Sequence, residues 1–239
     1  MNFDPQPSPD RSRRPSYAED ARVVSPAASA RVLRNTYALL ALSMIPTVAG
    51  AWLGLATGLA GSMGGMLAMI VFMVGAVGLI FAIEKHRDSP AAVPLLLAFT
   101  FFMGLMLSRI LGVVLGLHGG AGLVMLAFAG TATIFFGMAA LSSIIQRDLS
   151  TLGKWLFIGA VMLMVAGLAN LFIQSGALLI TIAVMAIGIF SAFVLHDLRR
   201  VRDGEEANYV IATLGVYLSL YNVFQNLLVL LGVFGGRDD

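Results

Sequence analysis

Cysteine is absent from the 239 residues. That removes disulfides, thiolate metal sites and a cysteine nucleophile, and it leaves the redox compartment open. Charge is scarce: Asp, Glu, Lys and Arg together make up 12% of the chain, about half of what a soluble domain carries. Histidine occurs three times, each time at or beyond a helix end with no second ligand at metal spacing. No His-Glu-x-x-His, phosphate-cradling glycine loop or Gly-x-Ser-x-Gly is present. The helix centres hold no pair of acids of the kind an intramembrane aspartyl protease uses. The chain is therefore expected not to be an enzyme, and no metal, cofactor or nucleic acid is expected as a ligand.

What the chain does have is apolar length. It is 59% hydrophobic, and several continuous apolar runs exceed 18 residues, enough for a helix to cross a bilayer. The runs are continuous rather than alternating, which excludes a membrane β-barrel. The fold class is thus all-α: a polytopic protein whose first partner is the lipid bilayer. Residues 1–30 stand apart. They are rich in Pro, Ser, Arg and Asp, bury little, and are expected to be a disordered cytoplasmic tail; residues 31–239 form the bundle. Seven helices are expected, over 35–58 (with Pro46 as a kink), 66–83, 91–115, 122–145, 155–173, 177–195 and 209–234.

Basic residues orient the bundle. The tail carries Arg11, Arg13, Arg14, Arg22, Arg31 and Arg34. The joints after the second, fourth and sixth helices carry Lys85 and Arg87, Arg147 and Lys154, and Arg199, Arg200 and Arg202. The other three joints carry none. Alternate joints are thus the basic ones, which places the N-terminus in the cytoplasm and the C-terminus outside.

The seventh stretch is uncharged yet more polar than a lipid-facing helix should be. Gly215, Ser219, Asn222 and Asn226 fall on one helical face, and Tyr217, Tyr221 and Gln225 form a second row. Lipid offers such groups no hydrogen-bond partner, so this helix belongs inside the bundle with the others packed around it. Two uses stay open for its polar groups: bonding between helices, or lining a path. Asp197 closes the sixth helix. It is either a solvated end charge or, if it faces the bundle, an ionisable group on an ion or proton route. Arg199 and Arg200 are expected to bias it towards its charged form. Glu84 lies at the same level on the second helix, as a solvated cap or as a partner for those arginines. Arg109, late in the third helix, either snorkels to the outer headgroups or guards the outer mouth with a fixed positive charge. Gly75, Gly78, Gly130 and Gly137 are expected to let helix backbones approach closely.

Several stretches then match a known pattern: Val32 to Tyr37, Ala129 to Phe136, Arg147 to Gly153, Ala169 to Gln174, and most strongly Glu206-Ala207-Asn208-Tyr209 running into Tyr217 to Phe224. In their order and spacing they resemble the Bax inhibitor-1 family, in particular its bacterial YccA-like branch of FtsH protease modulators. The resemblance implies a non-enzymatic protein of the bacterial inner membrane that binds and restrains an FtsH-type membrane protease. For other members it implies a pH-sensitive leak of calcium, or of protons, governed by paired aspartates on the sixth and seventh helices. Asp197 matches the first aspartate. Ser219 stands at the position of the second and supplies no carboxylate. His196 stands where a tyrosine is usual, and Arg109 where proline is common.

Overall fold

The computed structural model describes residues 26–58, 62, 65–145 and 150–235. Among the described residues, seven helices make up the fold: α1 (Pro26–Thr57), α2 (Gly65–Lys85), α3 (Ala92–Leu115), α4 (Gly120–Ile144), α5 (Ser150–Ile173), α6 (Gly176–Arg202) and α7 (Tyr209–Gly235). All seven are long and apolar enough to cross a membrane.

The helix ends differ from expectation in a consistent way: α1, α5 and α6 overrun their apolar stretches. α1 starts at Pro26, where a proline suits the first helical position and Ala27-Ala28-Ser29-Ala30 continue it. Five residues assigned to the tail are therefore helical; residues 1–25 lie outside the described residues, as do Gly61, Gly64 and the 146–149 part of the fourth joint. α1 runs unbroken through Pro46. α6 continues beyond Leu195 to Arg202, because Arg199, Arg200 and Arg202 favour the negative end of the helix dipole rather than ending the helix. Asp197 consequently lies inside α6, not at its terminus.

α7 packs against α1, α3, α4 and α6, whereas α2 rests mainly on α3 and α5 mainly on α6. No residue between 209 and 233 is exposed. α7 is thus largely covered by its neighbours, as its polar side chains require in a medium without water. α3 shares the centre: its buried stripe runs through Leu96, Phe99, Met103, Leu107 and Val114. The tightest helix pair is α1 with α3. Two glycines permit it. A methyl built on Gly50 would collide with the carbonyl oxygen of Phe101, and one on Gly104 with that of Thr47. Of the glycines singled out beforehand, Gly78 and Gly137 face open space, while Gly75 and Gly130 meet the side chains of Phe102 and Leu227. Glycine content announces close packing, but it does not say which glycine faces a neighbour.

Candidate functional site

The polar face of α7 begins, at the end carrying the basic joints, opposite Asp197. That side chain is only 17% exposed, and its Oδ1 lies 3.4 Å from Nδ1 of His196. Its carboxylate rests directly on α7: a methyl built at Gly215 would lie 2.9 Å from Oδ2. Any side chain larger than hydrogen at 215 would displace the acid. Asp197 thus faces the bundle rather than solvent. Ser219, one turn further along α7, is buried at 4% exposure. The geometry therefore sets one carboxylate, with a serine hydroxyl a turn away, on the inner face.

Neither arginine forms an ion pair with Asp197. Arg199 donates through Nε to Asp203 at 2.7 Å and through Nη1 to the carbonyl of Ser142 on α4 at 3.4 Å. Arg200 lies 3.7 Å from both Glu205 and Glu206. Each takes the acid that its own helix end or the following loop supplies, so the Asp197 carboxylate keeps His196 as its near neighbour. Glu84 is exposed at the end of α2 and meets neither arginine; it is a solvated end charge. Arg109 is exposed on α3, away from the enclosed face of α7.

Further along the same face, Asn222 and Asn226 are half-buried. Their amide nitrogens donate to the carbonyls of Leu218 and Asn222, at 2.9 and 2.8 Å. Each amide thereby places one of its N–H donors within α7. The second row is used differently. Tyr217 is fully buried, its hydroxyl 2.9 Å from Thr47 Oγ1 on α1 and 3.4 Å from the carbonyl of Thr100 on α3. Tyr221 donates to the carbonyl of Met103 on α3 at 3.3 Å. The ring of Tyr217 meets Phe99 edge-on and lies beside that of Tyr221. These two tyrosines tie α1, α3 and α7 together, which is bonding between helices. Gln225 is half-buried and its side chain makes no hydrogen bond among the described residues.

Two contributors were not singled out from the sequence. Thr213 donates to Tyr209 in its own helix at 2.7 Å and approaches the carbonyl of Thr36 on α1 at 3.4 Å. Asn208 caps α7: its Oδ1 accepts from the backbone of Val210 and Ile211, at 2.9 and 3.2 Å. Its Nδ2 reaches the Arg87 carbonyl in the α2–α3 joint at 2.8 Å. Glu206 accepts from the Asn208 backbone at 2.9 Å and faces Arg200. The Glu-Ala-Asn-Tyr stretch is thus a clamp that fixes where α7 enters the bundle. An asparagine just before a long apolar run is a helix-start signal in any sequence; its second partner is not.

One groove of about 570 Å³ opens nearby, between the start of α5 and the end of α6. Lys154, Phe157, Ile158, His196, Arg200 and Glu205 line it. His196 therefore stands between this groove and Asp197. Its ring lies directly over Gly153, where a side chain would strike it.

Residues 29–236 match the family model described as inhibitor of apoptosis-promoting Bax1. The chain is 39% identical over 210 residues to an uncharacterized protein of Neisseria meningitidis, covering 87% of this chain and 92% of that one. It is 36% identical over 208 residues to an uncharacterized protein of Pseudomonas aeruginosa, covering 87% and 91%. It is 35% identical over 208 residues to the modulator of FtsH protease YccA of Escherichia coli, covering 87% and 92%.

Proposed function

This chain belongs to the Bax inhibitor-1 family of membrane proteins, and from that membership we propose that it is a non-enzymatic inner-membrane protein that binds and restrains an FtsH-type membrane protease. The observation that carries the proposal is the 35% identity to the FtsH modulator of Escherichia coli across nearly the whole bundle. The architecture suits the role. The polar groups of α7 are turned inward and many are tied up in bonds between or within helices. The outer helices instead offer broad apolar flanks, with Phe81 on α2, Phe128 and Phe136 on α4, and Phe157 on α5 all well exposed. Such flanks suit lipid and the transmembrane segment of a partner alike. In this reading the N-terminus and the basic joints face the cytoplasm and the C-terminus the outside. A reporter active only outside the membrane should be active after Asp239 and silent after Ala30; the reverse pattern would invert the orientation. Binding itself is tested by tagged pull-down from native membranes. The protease should co-purify, and its consistent absence after membrane-soluble cross-linking would remove the proposal.

A second reading has its own observation. Asp197 sits against Gly215, one turn from Ser219, with Asn222 and Asn226 further along the same face. Intramembrane acids often mark ion or proton routes. This arrangement would support a leak of calcium or protons, though calcium prefers several oxygen ligands including more than one carboxylate. Flux from the purified chain in liposomes, abolished by Asp197→Asn, would favour this reading over the first; no flux above empty liposomes would dismiss it.

A further inference from the structure

The groove between α5 and α6 is sorted by depth. Lys154 lies near the start of α5, within about 6 Å of it along the axis, and Phe157 and Ile158 lie about one turn deeper. On the facing helix, Arg200 lies near the end of α6 and His196 one turn deeper. The 24 residues of α5 span about 36 Å, several ångströms more than the hydrocarbon thickness of a bilayer. The basic groups therefore lie nearer the headgroups and the apolar ones nearer the acyl chains. The apolar side is open to lipid: Phe157 is 65% and Ile158 48% exposed, beside Trp155 at 68%, the kind of residue that settles at an interface. On the basic side one cation stands without an ion pair among the described residues and the other is loosely paired. Lys154 makes no ion pair among the described residues. Arg200 meets its two acids only at 3.7 Å, well beyond the roughly 2.7–2.9 Å of a charge-assisted hydrogen bond. Glu205 is the single acid in the lining among the described residues.

We infer that this groove binds an anionic phospholipid of the surrounding leaflet, its phosphate held by Lys154 and Arg200 with the His196 ring alongside, and its acyl chains lying along Phe157 and Ile158. A soluble phosphate would use only the basic half and leave the apolar half without purpose. A peptide has no reason to require the bilayer-level sorting. The lipid accounts for both halves and for their order along the membrane normal.

The test uses the purified full chain in detergent and native mass spectrometry with added dioleoylphosphatidylglycerol or dioleoylphosphatidylcholine. Phosphatidylglycerol should be retained about fivefold more than phosphatidylcholine, the scale expected of one basic contact near the membrane surface. Lys154→Glu should bring retention down to the phosphatidylcholine level, and Lys154→Arg should preserve it. Lys85→Glu, at the same end of the bundle but outside the groove, should leave it unchanged. Glycerol phosphate in large excess should not displace the lipid. Equal retention of the two lipids would overturn the inference, as would equal losses in Lys154→Glu and Lys85→Glu. Displacement by glycerol phosphate would replace the lipid by a soluble phosphate ester and likewise overturn it.

Discussion

The hydroxyl of Tyr217 offers a measurement with a worked magnitude. Thr47 has one hydroxyl proton and gives it to the Ser43 carbonyl at 2.8 Å. Tyr217 must therefore be the donor in its 2.9 Å bond to Thr47, and its 3.4 Å approach to the Thr100 carbonyl can only be a weaker share of the same proton. Tyr217→Phe removes that one bond and strands no donor, because Thr47 keeps its own. Hydrogen bonds between membrane helices average about 0.6 kcal/mol and reach about 1.7, so a loss of about 1 kcal/mol is expected. Tyr217→Ala would also remove the ring packed on Phe99 and Tyr221, and should cost about 3–5 kcal/mol. A double-mutant cycle of Tyr217→Phe with Thr47→Ala, read by reversible unfolding in mixed micelles, should give a coupling of about 0.5–1.5 kcal/mol. A coupling indistinguishable from zero would show that α1 and α7 are not joined at this point. A Tyr217→Phe loss above about 3 kcal/mol would mean that the hydroxyl holds a larger network than the geometry allows.

Gly104→Leu should destabilise the bundle by about 3 kcal/mol or prevent its folding, because even a methyl meets the Thr47 backbone, whereas Gly78→Leu should be tolerated; size-exclusion profiles and unfolding midpoints distinguish them. Asn208→Ala should lose about 1 kcal/mol from the cap alone and loosen the tie to Arg87, seen as faster backbone hydrogen exchange at the start of α7. Removing residues 1–25, which leaves α1 whole, should preserve insertion but lengthen the lifetime of the chain in cells holding the protease, since a Pro- and Ser-rich end suits capture by an ATP-driven enzyme; an unchanged lifetime would take the segment out of the mechanism.

Apolar length and the alternation of basic joints made the count of helices legible from composition alone. Their ends were harder, because helicity does not stop where hydrophobicity does. The arginines that mark the membrane edge of α6 also stabilise its last turn, so Asp197 looked terminal and is not. The enclosure of α7 could be inferred because Tyr217, Tyr221 and the asparagines would be unsatisfied in lipid. The contact of Asp197 with Gly215 could not. It depends on the register between two helices joined by a six-residue loop at 203–208, and nothing in either helix alone states which turn of one faces which turn of the other. The same holds for Gly50 and Gly104, whose role exists only once α1 and α3 cross. Arg199 stands two residues from Asp197 and so faces another side of the helix; Arg200, three residues on, shares its side but meets Glu205 and Glu206 instead.

Restraint of a membrane protease is the central claim, and it can be measured without cells. An FtsH-type protease reconstituted in liposomes with a membrane substrate should degrade that substrate more slowly as the full chain is added, with the effect saturating at a fixed ratio of chain to protease. Degradation that proceeds at the same rate across that range, with both proteins verified in the same vesicles, would contradict the account.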